Sequence, residues 1–181
     1  MKNDILKILK TEDEIQSRVR ELGEQLAKDY ANKFPVMICV LKGSVMFFAD
    51  LLKYMPIPLT LDFMSVSSYR NGTSGGAIHI RQELTAPVTD RNVIIVEDII
   101  DSGRTLSMLK PLLMARGANS VGIVTLLDKP SRRDPNVTLI PEYVGFEIPD
   151  EFVVGYGLDF SERYRNLPNI GVLKPEIYEN A

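Results

Sequence analysis

Apolar positions along this 181-residue chain fall into two alternating rhythms. Thr11 followed by Glu14 has the capping-box pattern, and Ile15, Val19, Leu22, Leu26 and Tyr30 continue at spacings of three and four, predicting an amphipathic helix of about five turns. Val36, Met37, Ile38, Cys39, Val40 and Leu41 then run without a polar residue, the signature of a buried strand, and Lys42-Gly43-Ser44 closes it. Val45, Phe48, Leu52 and Met55 return to helical spacing, and Leu59, Leu61 and Phe63 alternate as a strand. Residues 67–76, SSYRNGTSGG, are polar and glycine-rich and predict a mobile loop, with His79 in the strand returning from it. A second β-branched run, Val93-Ile94-Ile95-Val96, precedes another helical pattern after Thr105; Pro111 inside that pattern predicts a bend or a late helix start. Residues 120–127 form a third buried run, and residues 136–154 read as short extended pieces. Strands alternating with helices predict an α/β fold, a parallel sheet with helices on both faces, in one domain over residues 1–181.

Bulk composition narrows the function classes. Apolar residues make up 45% and charged residues 25%, as in an ordinary globular protein. The net charge of −3 gives no electrostatic case for nucleic acid or an anionic membrane. No apolar run approaches the roughly 18 residues of a membrane span. The opening MKNDILKILK breaks its apolar positions with charges, unlike a signal peptide, so the expected location is cytoplasmic. Cys39, the only cysteine, lies within an apolar run and reads as a small core residue.

Residues 93–105, VIIVEDIIDSGRT, carry the most chemistry. Glu97 and Asp98 are expected where the buried strand ends, followed by Asp101 and then Ser102-Gly103-Arg104-Thr105 at a helix start. Ligands of open α/β sheets bind beyond the carboxyl ends of strands. A Ser/Gly/Thr turn entering a helix offers backbone N–H groups to an anion. Acids at one end and phosphate-binding amides at the other suit a phosphorylated sugar. Walker A and G-x-G-x-x-G dinucleotide patterns are absent.

The stretch resembles the phosphoribosyl pyrophosphate (PRPP) motif of the type I phosphoribosyltransferases, and EDIIDSG resembles the hypoxanthine-guanine branch. The resemblance implies a five-stranded core with a small hood built from the N- and C-terminal segments. It implies transfer of ribose 5-phosphate from PRPP to hypoxanthine, and to guanine, giving IMP or GMP and pyrophosphate. By the same resemblance Glu97 and Asp98 hold the ribose hydroxyls and Mg²⁺, and Asp101 is the general base. Asp101, Ser102, Gly103, Arg104 and Thr105 form the 5′-phosphate cradle, with the Arg104 side chain the most variable part. Lys42-Gly43, a pair often found with a cis peptide in this family, and Arg165 match the pyrophosphate site. Ser68-Tyr69 match a catalytic lid. Lys129 matches the contact to the purine 6-oxygen, Phe152 the ring stacked on the base and Val153 the backbone facing its Watson–Crick edge. Asp159 matches a position near the purine and a second metal. His79 takes no role, and Arg132 and Arg133 read as solvated, although an arginine here reaches a neighbouring site in some relatives.

The resemblance also implies a homodimer or homotetramer, with PRPP and a 6-oxopurine as partners and neither nucleic acid nor membrane. Two other readings stand beside it. A nucleotide-sensing regulator on the same fold would need a basic face or an added nucleic-acid-binding domain. A xanthine-preferring transferase would share the same motifs; Lys129 argues against adenine, since an ammonium has no acceptor for a 6-amino group.

Overall fold

The structure is a computed structural model that describes residues 1–68 and 78–179. The expected loop over residues 67–76, including Tyr69, lies mostly outside the described residues. Chain order is β1 (Ile5–Lys10), α1 (Glu12–Asp29), β2 (Val36–Leu41), α2 (Val45–Lys53), β3 (Thr60–Ser68), β4 (Ile78–Gln82), β5 (Asn92–Ile100), α3 (Arg104–Ala115), β6 (Ser120–Asp128), β7 (Tyr143–Glu147), β8 (Val153–Val154), β9 (Ile170–Leu173) and α4 (Pro175–Tyr178).

The larger sheet has the order β4-β3-β2-β5-β6-β7, parallel throughout except for the β3–β4 pair at one edge. Its five parallel strands are the expected core. The three buried runs become β2, β5 and β6 at its centre. Alternate residues of β5 serve opposite layers: Ile94 and Val96 join α1 and α2, while Val93 and Ile95 join Leu106, Leu109 and Leu113 of α3. A strand covered on both faces has no polar side, which is why these segments read as continuous apolar runs.

Thr11 caps α1 as predicted. Its hydroxyl accepts the Glu14 N–H at 3.3 Å and its own N–H donates to Glu14 Oε2 at 2.9 Å. Ile15, Val19, Leu22 and Leu26 are buried on the helix face that meets the sheet.

Three local expectations are corrected and a fourth, at Pro111, is narrowed. β5 does not end before its acids: it continues through Glu97 and Asp98 to Ile100, because Glu97, Ile99 and Ile100 still pair with β6. α2 buries Phe47, Phe48 and Leu51 rather than a face that begins with Val45, which is exposed. β3 buries Asp62 and Met64 and leaves Leu61 half exposed. Asp62 tolerates burial because its carboxylate accepts the N–H groups of Phe63 and Thr85 and the Thr85 hydroxyl, at 2.8–3.0 Å. α3 starts directly at Arg104 and runs through Pro111, so there is no late start.

The expected small hood is a second, antiparallel sheet of order β1-β9-β8. It joins a strand from near the start of the chain to strands from near its end. Among the described residues no helix is long and apolar enough to cross a membrane.

Candidate active site

The direction of the chain across the larger sheet reverses between β2 and β5. From β2 it proceeds outward to β3, and from β5 it proceeds the other way to β6 and β7. Such a switch point opens a crevice at the carboxyl ends of the strands. Lys42-Gly43 follows β2, the acids lie within the last few residues of β5, and Lys129 follows β6. The peptide bond between Leu41 and Lys42 is cis.

Three adjoining hollows occupy this crevice. The first, about 190 Å³, is lined by Glu97, Asp101, Ser102, Gly103 and Thr105 at the start of α3. The second, about 260 Å³, is lined by Lys42, Gly43, Glu97, Asp98, Asp159 and Arg165. The third, about 440 Å³, is lined by Ile99, Asp101, Lys129, Phe152, Val153 and Asp159, with Tyr178 at its border. Glu97 borders the first two, Asp101 the first and third, and Asp159 the second and third.

In the first hollow Gly103, with φ of 76°, turns the chain into α3. The first intrahelical bond runs from the Ser107 N–H to the Gly103 carbonyl, so the amides before it belong to the open end of the helix. Ser102 Oγ accepts the Arg104 N–H at 3.4 Å. The Arg104 guanidinium pairs with Asp134, and Arg104 is not among the residues that line this hollow.

In the second hollow the two acids stand side by side, each only partly exposed. Glu97 Oε2 is buried without a hydrogen-bond partner. Desolvation, then the charge of Asp98, push Glu97 well above the usual carboxylate range. Burial also raises Asp98, opposed by hydrogen bonds from Glu97 and the Ile99 N–H and by the Arg165 charge. Asp98 packs so closely on Gly43 that a Cβ there would overlap its Oδ2. Arg165 reaches Asp159 Oδ1 at 2.8 Å and donates to the Gly157 carbonyl at 2.8 Å. The other Asp159 oxygen accepts the Glu162 N–H at 2.8 Å. Lys42 pairs with Glu162 at 3.0 Å.

In the third hollow the Lys129 ammonium, nearly buried, lies 3.6 Å from Asp101 Oδ1. Phe152 is 39% exposed, and Val153 is buried where β8 pairs with β9.

A family model described as the phosphoribosyl transferase domain matches residues 7–161. The chain belongs to the phosphoribosyltransferase family. It is 55% identical over 181 residues to the hypoxanthine-guanine phosphoribosyltransferase of Bacillus subtilis (strain 168), covering 99% of each chain. It is 57% identical over 179 residues to the bifunctional protein TilS/HprT of Listeria innocua, where it covers 98% of this chain but spans only 27% of the relative's length. Among solved structures it matches a hypoxanthine phosphoribosyltransferase from Staphylococcus aureus with a TM-score of 0.94 and 51% identity, covering 98% of this chain and 96% of that one.

The fold of this member of the phosphoribosyltransferase family thus gathers most of the residues singled out in the sequence into one crevice. Tyr69 lies outside the described residues, as does the side chain of Ser68. Sequence reasoning missed four groups. Gly157, with φ of 100°, lies so close to the Gly43 carbonyl that a Cβ would overlap it. Glu162 bridges Lys42 and Arg165, the latter at 3.4 Å. Arg133, expected in solvent, instead pairs with Asp128 and donates to the Asp101 carbonyl at 3.1 Å; only Arg132 is exposed. Tyr178 stacks on Phe152. The Gly155-Tyr156-Gly157 spacing could have flagged the first, and the close Glu162–Arg165 and Asp128–Arg133 spacings hinted at the next two, whereas the Tyr178 stack is a long-range pairing with no local signal.

Proposed function

We propose that this chain is a 6-oxopurine phosphoribosyltransferase, using PRPP to convert hypoxanthine, and guanine, to IMP or GMP with release of pyrophosphate. The observation that carries the reading is the trio of contiguous hollows. One offers a helix start for a 5′-phosphate, one offers two cations for a pyrophosphate, and one offers an ammonium and an aromatic ring for a purine. Their shared walls are the carboxylates that a ribose bridging all three would meet. Relatives named for this activity at more than half identity support the same substrates.

In this reading the anomeric C–O bond of PRPP breaks, positive charge builds on the ribose, and the purine nitrogen forms the new bond. Glu97 and Asp98 hold the ribose side and offset that charge. Asp101, half exposed at the junction of two hollows, takes the proton lost by the purine. Lys129 donates to the 6-oxygen, Phe152 stacks on the base and the Val153 backbone meets its edge. Lys42, the Gly43 amide and Arg165 receive the leaving pyrophosphate, and Ser68 and Tyr69 are assigned to its lid on the sequence resemblance.

Mg²⁺ fits the donor set. Glu97 brings a buried, unpartnered oxygen, and Asp98 and Asp159 bring further hard oxygen donors. Among the described residues no three metal-binding side chains converge; Mg²⁺ commonly takes one or two carboxylates and completes its shell with substrate and water. Bound there, Mg²⁺ would neutralise charge on the pyrophosphate.

The test is PRPP-dependent turnover of hypoxanthine, guanine, xanthine and adenine side by side, in wild type and Asp101→Asn, with and without chelator. Hypoxanthine and guanine should be used and adenine refused. Asp101→Asn should lose about 10²–10⁴ in kcat. Preferred use of xanthine would move the specificity, and a full-speed Asp101→Asn variant would remove the base.

A further inference from the structure

Phe152 is expected to serve as a stacking surface, yet by itself it is poorly held. It lies just ahead of a two-residue strand and remains 39% exposed. A ring that swings among rotamers makes a weak platform, because each binding event must first fix it. What restrains it comes from the far end of the chain.

β9 runs antiparallel to β8, with Val172 opposite Val153 and Gly171 opposite Val154. At the end of the ladder the Leu173 N–H donates to the Phe152 carbonyl at 2.8 Å, which fixes the backbone of Phe152. The Lys174 N–H then bonds the Asp4 carbonyl at 2.9 Å, and Pro175 opens the single turn of α4. Ile177 and Tyr178 pack onto the small cluster of Val154, Tyr164, Leu167 and Leu173. The turn brings the Tyr178 ring back over Phe152, stacked at 4.7 Å between centroids and 18° between planes. Phe160 meets the same ring edge-on at 5.7 Å and 88°.

We infer that Tyr178 is a positioning residue for the purine: its ring backs Phe152, holding that ring as a fixed platform for the base. The inference rests on the reading of Phe152 as the base-stacking residue. Tyr178 borders the purine hollow but needs no contact with the base. Its contribution is the stack, so its hydroxyl is dispensable.

Steady-state KM values for hypoxanthine and for PRPP, with kcat, should be compared in Tyr178→Ala, Tyr178→Phe and Phe152→Leu, with Tm as a check on folding. An aromatic pair of this kind should make Tyr178→Ala raise the purine KM by about 2- to 12-fold. The PRPP KM and Tm should hardly change, since Tyr178 is half-buried in a terminal turn. Tyr178→Phe should restore the wild-type purine KM. A Tyr178→Ala enzyme with unchanged purine KM, while Phe152→Leu is impaired, overturns the inference and leaves the stacking role intact. A lowered purine KM in Tyr178→Ala also overturns it, because the ring would then compete with the base. If Phe152→Leu leaves the purine KM unchanged, the stacking role itself fails, and the inference with it.

Discussion

In the free chain Lys42 and Arg165, the two cations assigned to pyrophosphate, share one carboxylate. Glu162 reaches Lys42 with one oxygen and Arg165 with the other. Lys42 and Glu162 are both 66% exposed at their side chains, so the pairing is weak and easily exchanged. Hydrogen bonding from Lys42, followed by the charge of Arg165, holds the Glu162 carboxyl below its usual range, so it is an anion at neutral pH. An incoming pyrophosphate group must displace it. Removing the charge while keeping the shape, as in Glu162→Gln, should therefore tighten PRPP binding. The energy of an exposed ion pair sets the expected fall in PRPP KM at about 1.5- to 5-fold. Titrating PRPP at low ionic strength, where screening is least, checks this; a raised KM would mean that Glu162 instead orients Lys42 for its ligand.

At the scale of elements, what the sequence reveals depends on how local the cause is. The apolar runs of β2, β5 and β6 and the cap of α1 are set by neighbouring residues and could be read directly. The end of β5 could not, because Glu97 and Asp98 stay in the strand through pairing with β6, a segment more than twenty residues away. Leu61 and Asp62 exchange their expected places for the same kind of reason: Thr85 satisfies the acid from across the chain. Arg133 was misread although Asp128 stands only five residues before it; its second partner, the Asp101 carbonyl, meets it only after β5 and β6 lie side by side. Within the site, the turn holding Gly157 has a consequence of its own. Gly157 needs its positive φ, faces the Gly43 carbonyl without room for a Cβ, and exchanges hydrogen bonds with the backbone and side chain of Arg165. Gly157→Ala should strain that turn by about 1–3 kcal/mol and shift both cations assigned to pyrophosphate. Gly117, with φ of 88° beside Thr89 and far from the crevice, is the control. Both alanine variants should lower Tm, but only Gly157→Ala should raise the PRPP KM; equal KM values would detach the turn from the site.

For the whole molecule, the crevice depends on the two sheets keeping their relation, because the purine-side segment leaves β8 of the small sheet while the acids belong to the large one. The Gly43–Gly157 contact is one tie. A second is Asp50 on α2, which accepts from Tyr156 Oη at 2.7 Å, from Gln16 of α1 at 2.9 Å and from Lys53 at 2.7 Å. Burial would raise the Asp50 pKa, but these three donors outweigh it and hold the carboxyl below its usual range. Tyr156 is raised in turn, by its own burial and by the same carboxylate, so it remains a neutral donor. A folded pKa below the unfolded value of about 3.9 means that the ionised carboxylate stabilises the fold fully at neutral pH. That contribution fades as pH falls through the unfolded value toward the folded one. Asp50→Asn keeps the shape but loses the charge, which should cost about 1–2 kcal/mol at pH 7 and lower Tm by a few degrees. The gap between the melting curves of the two proteins should start to narrow below about pH 4, where the unfolded carboxyl takes up its proton, and keep closing toward pH 3 as the folded carboxyl follows. A constant gap across that range would show that the charge on Asp50 does not hold the sheets together.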